Sequence, residues 1–247
     1  MKKKFLFFTL IILTSVFIQL AHANTAVLAP SLSPPIHPKL SILIDPGHGG
    51  HDQGAASFLK LKKITEANLN LQISQKIYDL LTKSYSNEFN TMISRTDDNY
   101  VSLLKRVEKA ELNDVDIYIG IHCNSTYSEN ISGTEIYFSS DKSKNIDSND
   151  ILESIKNDLV ETGRIKQSLI LAKLLPKNWP HTQIKIRRAP FFVINKNKSI
   201  ALLIEVGYMT NLVDKNLLTN TDYQDKIAES IISALLKYRN LSDKITN

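Results

Sequence analysis

Leu40-Ser-Ile-Leu-Ile44 runs without a break into Asp45-Pro-Gly-His-Gly-Gly-His-Asp-Gln-Gly54. A short apolar run that ends in a glycine-rich turn reads as a buried strand delivering the chain to a loop. Four of the eight glycines (Gly47, Gly49, Gly50 and Gly54) crowd into that loop. Without side-chain bulk around His48, backbone or ligand can approach its ring closely. A dinucleotide-binding loop looks similar but needs a third glycine, and the position that would supply it, 52, is Asp.

Downstream, strands and helices alternate. Leu69, Ile73, Ile77 and Leu80/Leu81 follow one another at helical spacing, so Glu66–Lys83 reads as a helix with Thr65 as its N-cap. Thr91–Ser94 reads as a strand, Val101–Leu112 as a helix, and Val115–His122 and Glu135–Phe138 as further strands. Ile151, Ile155 and Leu159 begin a helical stretch that Gly163 is placed to bend. Phe191–Ile194 and Ile200–Glu205 read as strands, and Tyr223–Tyr238 as a closing helix. Such alternation predicts an α/β fold, a largely parallel or mixed sheet covered on both faces. Sites in these sheets form in the crevice beyond the carboxyl ends of the strands.

His48 follows the first strand, His122 ends an apolar strand just before Asn124 and Ser125, and Glu205 ends Ser199–Ile204. Glu66 opens the helix after the glycine loop. The sheet rule therefore gathers residues that lie far apart in the chain onto one rim. Two imidazoles and a carboxylate are a recurrent catalytic zinc set that leaves one position for water. A second carboxylate off the metal is what a zinc hydrolase needs as general base.

The ends of the chain bear on where such an enzyme works. Lys2, Lys3 and Lys4, the apolar run Phe5–Leu20, and Ala21-His-Ala23 have the three parts of a secretory signal peptide, residues 1–23. Removing those lysines leaves 27 of the 30 Lys and Arg against 25 Asp and Glu, so the basicity of the full chain lies mostly in the leader. That leaves no case for a nucleic-acid footprint. The expectation is export to a periplasm or the exterior, with no membrane attachment after cleavage. Pro30, Pro34, Pro35 and Pro38 mark residues 24–39 as an extended linker. The folded unit is expected over residues 40–240, with 241–247 as a tail. With one cysteine, Cys123, the chain cannot build an internal disulfide framework.

Ile44-Asp-Pro-Gly-His-Gly-Gly50, Glu66, Ser94-Arg-Thr-Asp97, Arg106-Val107, Ile121-His-Cys-Asn-Ser125, Gly133-Thr-Glu-Ile-Tyr137 and Leu203-Ile-Glu-Val-Gly-Tyr-Met-Thr-Asn211 occur in that order over residues 41–238. In this the chain closely resembles the zinc-dependent N-acetylmuramoyl-L-alanine amidases of the third type. The resemblance implies a single domain with a mixed, mostly parallel sheet of about six strands and helices on both faces. It implies zinc held by His48, Glu66 and His122, and Glu205 as the catalytic acid/base. The implied substrate is peptidoglycan, cut between N-acetylmuramic acid and the L-alanine of the stem peptide. The expected form is a monomer, with an activator protein and a role in cell division as open attributes.

Two other readings compete. Ser139-x-x-Lys142 matches the nucleophile motif of a penicillin-sensitive serine peptidase, but Ser57/Lys60 and Ser102/Lys105 match equally and the Lys-Thr-Gly element is absent. A non-catalytic peptidoglycan-binding relative would keep the fold, but the four-residue set is complete here. Among lesser candidates, Cys123 is expected to be a small buried residue, because neighbouring strand residues point to opposite faces. His51 and His181 are expected at the surface. Glu135 could support the site from its strand end, and Arg95 could orient a loop or pair with a carboxylate. Arg187 and Arg188 are candidates to meet anionic stem-peptide groups. Glu153, within residues 140–160, is the candidate for a self-blocking ligand, although the expectation is an enzyme without strong self-inhibition.

Overall fold

Ile42 and Ile44 bury their side chains on one side of the first strand and Leu43 on the other, and this division recurs along the centre of the sheet. The computed structural model describes residues 38–59, 61–140, 151–181 and 183–246. The expected leader at 1–23 and nearly all of the expected linker over 24–39 lie outside them, as does Lys142.

The strands are β1 (Leu40–Pro46), β2 (Ala56–Leu59), β3 (Lys62–Thr65), β4 (Phe89–Ile93), β5 (Ile117–Asn124), β6 (Thr134–Ser139), β7 (Ile184–Ala189) and β8 (Ile200–Tyr208). The helices are α1 (Glu66–Ser84), α2 (Leu103–Leu112), α3 (Ile151–Leu174), α4 (Phe192–Asn195), α5 (Leu212–Leu218) and α6 (Thr221–Thr246). Six strands form one sheet in the order β4-β1-β5-β8-β6-β7, while β2 and β3 make a separate antiparallel hairpin. Every pairing in the main sheet is parallel except that of β6 with β8. This is the mixed, mostly parallel six-stranded sheet that was expected.

Ile117, Ile119 and Ile121 of β5 and Leu202 and Ile204 of β8 face a core completed by Leu69, Ile73 and Ile77 of α1, Leu171 of α3, and Ile227, Ile231 and Leu235 of α6. Tyr118, Ala201 and Leu203 face the other way, onto Ala110 of α2 and Val193 and Ile194 of α4. Strands buried on both faces carry apolar residues at nearly every position, which is why these segments read as continuous runs.

Phe191–Ile194 is not a strand. The chain leaves Pro190 and forms the short helix α4 there, and the sheet edge is made instead by β7. Ile184 and Ile186 of β7 pack on the core while Lys185 and Arg187 project outward, a two-residue alternation disguised by its cations. Charged side chains suit an edge strand because they discourage pairing with another chain. The hairpin and α5 were also missed. α5 opens on Asn211, whose Oδ1 accepts from the amides of Val213 and Asp214 at 3.0 Å. Gly163 sits inside α3, which continues through it. Because β1, β5 and β8 are neighbouring parallel strands, their carboxyl ends share one rim, and the functional residues stand there.

Candidate active site

Each of the four expected residues is placed by a local feature. His48 lies just past β1 in a left-handed conformation, φ 59°, that side chains seldom adopt. Its Nδ1 is 2.8 Å from Asp52 Oδ1, four residues on, which leaves Nε2 facing inward. Glu66 is the first residue of α1, whose N-cap Thr65 accepts from the Asn68 amide. The start of the helix is tied to the glycine loop, because the Glu66 amide donates to Ala55 O at 2.8 Å and the Ala67 amide to Gln53 O at 3.2 Å. His122 sits near the end of β5, beside Glu205 in register on β8.

Glu66 is the hub. Its Oε1 lies 3.1 Å from His48 Nε2 and 3.0 Å from His122 Nδ1. The Cys123 amide reaches the same oxygen at 3.3 Å and Asn70 Nδ2 at 3.4 Å, while the Ala55 amide donates to Oε2 at 2.9 Å. One donor atom from each of His48, Glu66 and His122 falls within 4.8 Å of the others. Gly47 makes room for this: a Cβ there would lie 2.2 Å from His122 Cε1. Two nitrogens and a carboxylate oxygen converging in this way fit a divalent transition metal such as zinc.

The electrostatics fit as well. Burial alone would raise the Glu66 carboxyl, but the facing His122 and His48 rings outweigh it and hold it well below the usual carboxylate range. Burial would lower His48, yet Glu66 and Asp52 override it and raise the imidazole to about 9. His48 thus stands between two acidic groups, Asp52 and Glu66, in surroundings that favour positive charge. Burial, reinforced by Glu66 and Glu135 against the pull of His122 and His48, pushes Glu205 up to about 7. Its Oε2 is buried and has no hydrogen-bond partner. Carboxylate oxygens left so are costly unless a ligand or reacting group uses them.

Glu135 faces Glu205 across the β6–β8 pairing and is well satisfied. It accepts from the Tyr137 hydroxyl, from Asn124 Nδ2 at 3.4 Å, and is paired with Arg187 Nε at 3.2 Å. Arg187 is therefore engaged within the protein, and the Arg188 guanidinium lies 5.5 Å from the Phe138 ring centre. Sequence reasoning passed over Asp52 and Asn70, each four residues from a candidate ligand, a spacing that was the available signal. It also passed over Asp45, a buried carboxylate that accepts from the Ser94 and Tyr118 hydroxyls and pairs with Arg106.

The histidines expected at the surface part company. His51 is exposed and its ring rests 4.1 Å from that of Tyr100. His181 is largely buried, with Nε2 3.3 Å from Oδ1 of the buried Asp214. Cys123 is a buried free thiol packed in the core. Ser139 is fully buried and bonds Asn195 Oδ1 at 2.7 Å, so it offers no nucleophile to a substrate. The side chain of Glu153 and residues 141–150 lie outside what is described.

The family model described as N-acetylmuramoyl-L-alanine amidase matches residues 42–237. The chain belongs to this family. It is 31% identical to a putative N-acetylmuramoyl-L-alanine amidase of Buchnera aphidicola subsp. Acyrthosiphon pisum, over 81% of this chain and 94% of that protein. The fold superposes on the catalytic domain of CwlV, the amidase of Bacillus (Paenibacillus) polymyxa var. colistinus, with TM-score 0.66 and 26% identity, covering 81% of this chain and 98% of that one. An amidase from Clostridium difficile 630 matches with TM-score 0.66 and 27% identity over 82% and 97% of the two chains. The amidase is thus a peptidoglycan hydrolase with a candidate metal site at His48, Glu66 and His122.

Proposed function

We propose that this amidase is a zinc enzyme, with His48, Glu66 and His122 as the metal ligands and Glu205 as the proton carrier. The observation that supports it most is the single Glu66 oxygen standing within 3.1 Å of both imidazoles, beside a buried carboxylate with an unpartnered oxygen. Zinc bound there would polarise the scissile carbonyl and lower the pKa of water at the site.

The chain's own residues do the rest. Asp52 holds His48 through Nδ1, so that Nε2 is the free donor atom. A ring oriented in this way by a carboxylate is a better ligand. Glu205 takes a proton from the attacking water and returns it to the nitrogen of the departing L-alanine. Burial, which holds Glu205 above the ordinary carboxylate range, suits a group that must both take and give a proton.

The leader-like residues 1–23 support an exported enzyme acting in the periplasm or outside the cell, on a linker over 24–39. We place the catalytic domain at 40–240 and expect a monomer without strong self-inhibition. The decisive test is mass spectrometry of purified muropeptides after digestion, with and without a chelator, alongside the metal content of the protein. Release of intact stem peptides that stops on chelation and returns with zinc is expected. Release unaffected by removal of all metal would overturn the zinc assignment.

A further inference from the structure

Arg95, just past β4, is 4% exposed and carries its guanidinium beneath the glycine loop. Its Nε donates to Pro46 O at 3.1 Å, and Nη2 donates to Gly47 O and to Ala67 O, both at 2.8 Å. Nη1 donates to Asp97 O at 2.9 Å. All four bonds go to main-chain carbonyls, an unusual use of a buried cation, since desolvating a guanidinium is costly and a carboxylate would offset it better. The choice of carbonyls is informative. Pro46 and Gly47 immediately precede His48, and Ala67 immediately follows Glu66. One rigid planar group therefore holds the backbone beside two of the three candidate ligands, which come from different elements.

The loop needs such a hold. His48 sits at φ 59°, a conformation that persists only when its surroundings over-determine it. Arg106 fixes the other side of the same turn, donating to Pro46 O at 2.7 Å and His48 O at 2.8 Å. Asn70 Nδ2 spans Gly47 O and Glu66 Oε1 at 3.3 and 3.4 Å. Arg106, however, bonds to the His48 loop, Asp45 and Val101 but not to the Glu66 segment, and Asn70 makes its two contacts at long range. Arg95 alone among the three makes short bonds to both ligand-bearing segments.

The geometry points to Arg95 as a positioning residue of the metal centre, setting the separation of His48 and Glu66 through the carbonyls of Gly47 and Ala67. This rests on the reading of His48, Glu66 and His122 as zinc ligands. A lysine in its place keeps the charge but cannot span the carbonyls in one plane. Glutamine keeps a donor and loses the charge.

The test is zinc affinity of the full chain, measured by competition with a fluorescent chelator, for Arg95→Lys and Arg95→Gln. Ile231→Val, a core change away from the site, serves as a stability control, and His48→Ala as the ligand reference. Both Arg95 variants are expected to weaken zinc binding at least about tenfold, the scale of losses when a ligand's support is removed. Ile231→Val should stay within about twofold, whatever its effect on melting. Arg95 variants that bind zinc within twofold of wild type, while His48→Ala loses it, would overturn the inference alone. His48→Ala retaining full affinity would instead overturn the ligand assignment. Should both variants fail to fold, the wild-type protein still answers. Zinc should slow solvent exchange of the Arg95 Nε–H proton at least about tenfold by NMR, and an unchanged rate would reject the inference.

Discussion

Glu205 and Glu135 are partners in the antiparallel pairing of β8 with β6, two carboxylates side by side at the rim. Their surroundings divide them. Glu135 is bound by Tyr137, Asn124 and Arg187, whereas Glu205 keeps a buried oxygen without a partner and is raised to about 7. A satisfied carboxylate is a fixture, and an unsatisfied one beside the candidate metal site is free to exchange a proton. That division supports Glu205 rather than Glu135 as the proton carrier.

Glu205→Gln should therefore reduce kcat by about 10²–10⁴-fold, the usual contribution of a positioned acid/base. Zinc content should stay at the wild-type level, because Glu205 is not among the three converging candidate ligands. Muropeptide turnover together with elemental analysis checks both halves, and wild-type turnover would remove the role.

Zinc affinity should rise with pH up to about 9 and level off above it, because metal-free His48 carries a proton below that point. A ligating imidazole must shed its proton, so that proton competes with the metal at the lower end. The raised pKa also means that the His48 ion pair stabilises the metal-free fold fully below 6.5 and is lost as pH rises through about 9. Chelator competition at several pH values reads the first effect, and melting of the metal-free protein reads the second. The expected melting temperature falls over that interval.

Gly47→Ala should abolish metal binding while leaving much of the fold intact. The added Cβ would stand 2.2 Å from Cε1 of His122, so the ring must leave its place beside Glu66. Circular dichroism and bound-metal stoichiometry separate the two effects, and full zinc loading would contradict the geometry.

Cys123→Ala should keep activity within a few-fold and cost about 1 kcal/mol or more, as removal of a buried small group does. The thiol is 1% exposed and burial pushes its pKa well above the ordinary value, so native protein should resist alkylation until unfolded. Rapid labelling of the folded enzyme by iodoacetamide would place the thiol outside the core.

Some segments were legible and others were not. β1, β5 and β8 announce themselves because burial on both faces leaves no polar interruption. β7 hides because an edge strand exposes alternate residues, and Lys185, Arg187 and Arg188 mask the apolar half. Phe191–Ile194 has strand-like composition, yet its position after Pro190 and over the β6–β8 face turns it into a helix. His181 looked like a surface residue because its partner, Asp214, lies more than thirty positions away.

From the linear chain alone came the alternation of strand and helix, the glycine loop and the four residues fit for metal hydrolysis, since periodicity and side-chain chemistry are local properties. Only the folded chain decided that one Glu66 oxygen meets both imidazoles, that Glu135 is already engaged, and that Arg95 joins the His48 loop to the start of α1. Those outcomes depend on strand order and on contacts between residues dozens of positions apart, which no local pattern encodes.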